Sequence, residues 1–311
     1  MTTKKVLITG ISGFLGAWSA KVLLENKFDV YGLVRKKGGL SSLSLLDLDT
    51  KIPLIVANLR NLKDLEAIFQ ENEFDYCLHF AGLTNPAYCK DHVHETFEAN
   101  VAGVWNLLEA IQKKSPQTKT VVSSSYLTEQ HNMESSPYAV SKLLGEWIAK
   151  TYSKRFGLTV VNVRNSNCFG PADVHLERII PSTILLALNR KKISVFNETN
   201  ARNFVYVKDV AKGYLHLLNA MNRNTADLDG LIFANDKKTR ILDLTQRIVK
   251  LTETNAPIEL LGKSHEETPE VSITPTQEKI GWSPSYSLND ALTETVEWYR
   301  GHRNQLSIKK D

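Results

Sequence analysis

The chain has 311 residues, 42% of them apolar, and a net charge of +4 from 38 basic and 34 acidic side chains. That size and mixture suit one large globular domain or two intimate ones and exclude a disordered chain, while the small, scattered charge surplus argues against a nucleic-acid partner. Three irregularly spaced cysteines, Cys77, Cys89 and Cys168, exclude a disulfide framework and a zinc site. No apolar run approaches the roughly 20 residues of a membrane span, and the first residues run straight into a strand pattern with no secretory leader. The expectation is a reducing, cytoplasmic setting with no metal and no membrane partner.

The first half alternates strands and helices. "KVLIT" predicts a buried strand, followed by a glycine-rich turn and a helix from Trp18 to Glu25. "VYGLV" and "PLIVA" are the second and third strands, "LKDLEAIFQEN" an amphipathic helix, and "YCLHFA" the fourth strand. "ETFEANVAGVWNLLEAIQKK" reads as one long helix, "KTVVSSS" as the fifth strand, "PYAVSKLLGEW" as the start of another helix, and "LTVVNVR" as the sixth strand. Such alternation implies right-handed crossovers and a doubly wound parallel α/β sheet of Rossmann type, covered on both faces. After about Asn165 six prolines, from Pro171 to Pro284, cut the chain into shorter pieces around three helical patterns, "VKDVAKGYLHLL", "ILDLTQRIVKLTE" and "SLNDALTETVEWYR". We expect a dinucleotide-binding domain over residues 1–165 and a smaller, interleaved C-terminal lobe over 166–311. Residues 204–235 are expected to return to the sheet region, with "FVYV" as a strand able to rejoin the sheet. The terminal "SIKKD" is read as a frayed end.

"LITGISGFLG" places Gly10, Gly13 and Gly16 between the first strand and the first helix. The first glycine permits a tight turn, the second lets a pyrophosphate approach the backbone, and the third lets the helix pack close to the strand. Ser12, Phe14 and Leu15 belong to the same predicted cofactor contact. At the end of the second strand, where an NAD-binding chain places an acid for the ribose hydroxyl, stand Arg35 and Lys36; a guanidinium there pairs with a 2′-phosphate. NADP is therefore the expected cofactor, with NAD the second choice, and Asn58 and Leu59 after the third strand are placed to flank the adenine.

Tyr138 and Lys142 are spaced i, i+4 and share a helix face. A phenol titrates near pH 10, and a nearby ammonium favours its phenolate, making it a usable base toward a substrate hydroxyl. Ser123, Ser124 and Ser125 end the fifth strand at its carboxyl edge, where doubly wound sheets bind ligands. Ser124 is selected as the hydroxyl opposite Tyr138.

The ordered set "TGISGFLG", "SSS", "YAVSK", "NCFGP" and "RNFVYVKDV" resembles the extended short-chain dehydrogenase/reductase family of NAD(P)-dependent nucleotide-sugar epimerases and dehydratases. "FGPADVHLERIIPSTI" and "GWSPSYSLNDALTETVEWYR" most resemble the CDP-glucose 4,6-dehydratases. The resemblance implies a Ser124–Tyr138–Lys142 triad; cofactor contacts from Phe80, Ala81, Gly82 and Thr84, with Tyr138 and Lys142; and Asn100 as a brace. It also implies substrate contacts from Thr84, Ser125, Tyr126, Asn167, Arg178 and Arg202, the two arginines on the phosphates, and a homodimer formed through a four-helix bundle. Dehydratases of this group follow the triad hydroxyl with an acidic residue and then Glu or Lys, whereas Ser125 and Tyr126 occupy those places here. Tyr126, with Glu129, Glu134, His79 or His131, is the substitute acid/base set that dehydration would need. The expected activity is hydride transfer at C4 of a nucleotide-diphosphate sugar, as an epimerase or 4-ketoreductase. The alternatives are a 4,6-dehydratase with an atypical acid/base, an NADPH-dependent reductase of small ketones or aldehydes, and a non-catalytic dinucleotide sensor.

Overall fold

A computed structural model describes residues 3–129, 133–196, 200–223, 227–262 and 268–306. His131 and the terminal "SIKKD" lie outside the described residues. Its strands are β1 (Lys5–Thr9), β2 (Asp29–Val34), β3 (Leu54–Val56), β4 (Tyr76–His79), β5 (Lys119–Ser125), β6 (Val160–Asn165), β7 (Asn167–Phe169), β8 (Ile193–Val195), β9 (Ala201–Tyr206), β10 (Leu231–Phe233), β11 (Lys238–Arg240) and β12 (Ile258–Leu260). Helices α1 (Phe14–Glu25), α2 (Ser42–Leu45), α3 (Leu62–Glu71), α4 (Pro86–Asp91), α5 (Val93–Phe97) and α6 (Gly103–Lys114) precede the long α7 (Pro137–Phe156). They are followed by α8 (Ile179–Leu188), α9 (Val207–Asn222), α10 (Ile241–Leu251), α11 (Thr274–Ile280) and α12 (Leu288–His302).

Seven strands form one sheet in the order β10-β6-β5-β4-β1-β2-β3, parallel at every pairing. Both faces are covered, so strands such as β1 read as unbroken apolar runs, with Val6, Leu7 and Ile8 fully buried. The order reverses between β1 and β4, and the carboxyl ends of those two strands open the crevice in which such sheets take ligands. Two small sheets, β11-β9-β7 and β12-β8, lie outside it.

Two expectations change. "FVYV" belongs to β9, which stays out of the main sheet: β7 begins two residues after β6 ends, turns away from the sheet, and takes β9 as its parallel neighbour. The return of the 204–235 segment is made instead by α9, packed on α1, and by β10 beside β6. The long helix expected over residues 95–114 is α5 and α6 joined by a π-helical turn, Glu98–Ala102. The extra residue of such a turn re-aims a side chain, and here it carries the buried Asn100.

Helix α7 is bounded as its sequence dictates. Ser136 accepts a hydrogen bond from the Ala139 N–H, Pro137 occupies the first turn, and Gly157 at φ 71° ends it in the left-handed region. Asp209 in α9 accepts from Ser285 Oγ at 2.6 Å and the Tyr286 N–H at 3.1 Å, while its carbonyl takes the Trp282 indole at 2.9 Å. One buried carboxylate thus fastens "GWSPSYS" to the core.

Candidate active site

The glycine turn is shaped by contact. Gly10 has φ 71°, and a Cβ there would lie 2.6 Å from the Ala81 nitrogen. A Cβ on Gly16 would lie 2.4 Å from the Gly10 carbonyl, so α1 can start this close to β1 only without side chains. Ser12 is exposed at the turn, Leu15 is half-buried, and the Phe14 ring is buried with Trp18 and Val207, leaving Phe14 only its backbone to offer a ligand. A glycine turn between a parallel strand and a helix N-terminus is the arrangement that takes a dinucleotide pyrophosphate in doubly wound sheets.

Arg35 and Lys36 are exposed just past β2. Asn58 is exposed, and its Oδ1 accepts from the Arg60 N–H at 3.1 Å, closing a local turn. The Leu59 carbonyl accepts from Asn106 at 3.0 Å. Beyond β4, the Phe80 ring packs edge-on to Tyr214, Ala81 lies against Gly10, and Gly82 lies against Asn100. Asn100 accepts from the Leu83 N–H at 2.7 Å and donates to the Leu83 carbonyl and to Ser141 Oγ, so it joins the Gly82 loop to α7 as a brace.

Tyr138 and Lys142 are both buried. Burial pushes the Tyr138 phenol up to about 12, opposed by a hydrogen bond with the Ser125 hydroxyl and by the Arg178 guanidinium. Burial draws Lys142 down to about 8, opposed by the negative influence of Cys89 and Glu146, and its ammonium donates to the Ser123 carbonyl at 2.9 Å. His79 hydrogen-bonds Thr9 Oγ1 at 2.8 Å and is held neutral, pulled down to about 3 by burial and then by the Lys142 charge. This leaves His79 no acid role at ordinary pH.

The selected serine is corrected. Strand side chains alternate, so Ser124 faces away from Ser123 and Ser125. The Ser124 hydroxyl donates to Glu146 Oε1 at 2.6 Å, and the hydroxyl facing the phenol is that of Ser125. A second cation acts on the phenol: the Arg178 guanidinium, from the far half of the chain, lowers it, while the Lys142 ammonium donates to the Ser123 carbonyl. Arg178 donates to the buried Asp173 at 3.0 Å and to Thr84 Oγ1 at 3.2 Å, a wall shared by both halves. With Ser125 at the phenol, the next two positions are Tyr126 and Leu127, and neither supplies a carboxylate.

Tyr126 is buried with Ile232 and Ala234, and its hydroxyl accepts from Asn167 Nδ2 at 2.9 Å. Asn167 also donates to the Asn203 carbonyl. Glu129 pairs with Arg164, Glu134 is exposed, and Arg202 is half-buried in β9 opposite Thr239. Glu146 and Arg164 escaped the sequence reading, although Glu146 lies one further turn along the row that holds Tyr138 and Lys142. Among the described residues no cluster of three or more His, Cys, Asp or Glu could hold a metal, and no helix is long and apolar enough to cross a membrane.

Comparison with known proteins agrees with this geometry. UDP-glucuronate 4-epimerase 2 of Arabidopsis thaliana is 26% identical over 96% of this chain and 76% of its own length. Human (Homo sapiens) dTDP-D-glucose 4,6-dehydratase is 26% identical over 99% of this chain and 93% of its own. The fold is shared with the crystal structure of UDP-glucose 4-epimerase from Thermotoga maritima with UDP-glucose. That structure has a TM-score of 0.86 and 21% identity, over 96% of this chain and 99% of that one. A family model matches residues 6–228, a span that contains the glycine turn, the Tyr138 cluster and Arg178. On that match the chain belongs to the NAD dependent epimerase/dehydratase family of enzymes.

Proposed function

We propose that the protein transfers hydride at C4 of a nucleotide-diphosphate sugar, as a 4-epimerase or 4-ketoreductase. The observation that carries this reading is the buried Tyr138, hydrogen-bonded by Ser125 and followed one turn later by Lys142, beside a glycine turn in which Gly10 and Gly16 leave no room for a side chain. Tyr138 takes the proton of the C4 hydroxyl, and Ser125 holds that oxygen against it. Arg178 favours the phenolate from the opposite wall. Lys142, whose ammonium lies near Gly82, is the group proposed to hold the nicotinamide ribose. A bound nicotinamide supplies acceptance and return of hydride. Dehydration is disfavoured because Tyr126 is tied to Asn167 and Leu127 has no acidic or basic group.

The cofactor proposed is NADP, with NAD as the rival, because Arg35 and Lys36 stand exposed where a 2′-phosphate would lie. Mass spectrometry of the nucleotide released on denaturing the purified protein decides between them. We further propose a homodimer in which α6 and α7 pair with their copies as four helices. Trp105 and Trp147 on these helices are 56% and 66% exposed, beside exposed Leu144 and Phe156. Arg202 is proposed to reach the diphosphate, with Asn167 holding the pocket floor through Tyr126. The test is a panel of UDP-, GDP-, CDP- and dTDP-sugars offered to the enzyme with each cofactor. A changed sugar, lost in Tyr138→Phe, is expected; full turnover by Tyr138→Phe overturns the assignment of the base.

A further inference from the structure

Tyr138, Lys142 and Glu146 form a single i, i+4, i+8 row along α7. The first two belong to the site; the third is turned toward the back of β5. Glu146 is gripped there from two strands. Arg164 of β6 donates from Nε to Glu146 Oε1 at 2.9 Å and from Nη2 to Oε2 at 2.7 Å, a bidentate pair with fixed geometry. Ser124 of β5 adds its hydroxyl at 2.6 Å, and Asn162 of β6 donates to the Glu146 carbonyl at 3.3 Å. The remaining Arg164 nitrogen holds Glu129, in the turn that follows β5. The carboxylate is 11% exposed and the guanidinium 23%, so the pair is shielded from solvent on most sides.

We propose that Glu146 is a positioning residue for the reaction: clamped by Arg164 and Ser124, it sets the rotation and height of α7 on the sheet so that Tyr138 meets Ser125, and it places a negative charge one helical turn from the Lys142 ammonium. The inference rests on the functional reading above for its kinetic part only. Adjacent residues of a strand point to opposite faces, so whatever fixes Ser124 behind the sheet fixes Ser125 in front of it. A helix packed on a sheet can rotate about its axis at the cost of side-chain repacking alone; a two-bond clamp eight residues from the reacting phenol removes that freedom. The titratable groups facing Lys142 are Cys89 from α4, His79 from β4, and Tyr138 and Glu146 from its own helix. Burial pushes the Cys89 thiol up and His79 is held neutral, which leaves Glu146 as the one carboxylate among them. Cys89 first and Glu146 second act to raise the Lys142 pKa against its burial.

The test compares the parent with Glu146→Gln and with the charge-balanced double variant E146Q/R164M, which serves if the single variant fails to fold. The substrate-independent readout is the 13Cε NMR titration of Lys142 in lysine-labelled protein, assigned with Lys142→Arg. Removing the neighbouring negative charge is expected to lower its midpoint by ~0.5 unit. On whichever nucleotide sugar the parent converts, kcat is expected to fall about tenfold with KM within about twofold, and the alkaline limb of the rate profile to move to lower pH with the titration. An unmoved Lys142 titration in Glu146→Gln, or a parental kcat in the double variant where both charges go, overturns the proposal. A parent that converts no nucleotide sugar defeats the functional reading while the titration still decides the role of Glu146.

Discussion

Ser124 and Ser125 differ by one position and by a whole face of the sheet. Ser125→Ala removes the hydroxyl that meets the phenol and is expected to lower kcat by about 100-fold, the scale of a lost acid–base partner, whereas Ser124→Ala is expected to stay within about threefold. Steady-state kinetics of the two variants on the same sugar checks both. Three serines in a row gave no means of choosing among them from the sequence. Alternation pairs Ser123 with Ser125 and opposes Ser124, but which face receives α7 is decided by the crossover, a tertiary fact. Lys142 carries a second expectation. The role proposed for it needs the ammonium, and burial draws that group down to about 8, so kcat/KM is expected to decline as pH rises through that value. The same depression has a cost in stability: between about 8 and its ordinary value of 10.5 the unfolded chain binds the proton that the fold has lost, so this group favours folding more as pH rises through that window. Lys142→Met is accordingly expected to be inactive and to melt above the parent at pH 7, by calorimetry.

Elements were legible where one local rule governed them. The strands of the first half were readable because buried parallel strands are unbroken apolar runs, and α7 because Ser136, Pro137 and Gly157 mark its two ends. The π-turn at Glu98–Ala102 was not, since one extra residue leaves the helical pattern of "EANVAGVWNLLEA" intact. Nor was the placement of β9, because "FVYV" suits a small sheet as well as a large one, and only the break at Ser166 sends its neighbour β7 aside. The glycine turn makes a sharper claim. Gly10→Ala combines a left-handed backbone with a Cβ 2.6 Å from Ala81, and should destabilise by more than the ~1 kcal/mol of the conformation alone and abolish dinucleotide binding. Urea unfolding and cofactor titration measure the two effects.

For the whole molecule, the broad fold class followed from alternation of strand and helix, while the meeting of distant residues did not. Thr84 and Arg178 lie 94 positions apart and touch; the sequence named both and assigned the arginine to phosphates, with nothing to indicate the phenol beside it. The proposed dimer is testable at this scale. Trp147→Glu places a charge on the exposed ridge of α7 and is expected to give a monomer by light scattering, with no loss of secondary structure.

The indole of Trp18, in the helix that starts at the glycine cradle, donates to the carbonyl of Pro171 at 2.8 Å. Pro171 opens the segment that leads to Asp173 and Arg178, so the first helix has a grip on the wall across from the reacting phenol. On the function proposed above, a dinucleotide settling on that helix is expected to steady the sugar's berth before any sugar arrives. Such a coupling favours an ordered encounter, coenzyme first, in which the empty protein offers a hexose only a loose welcome.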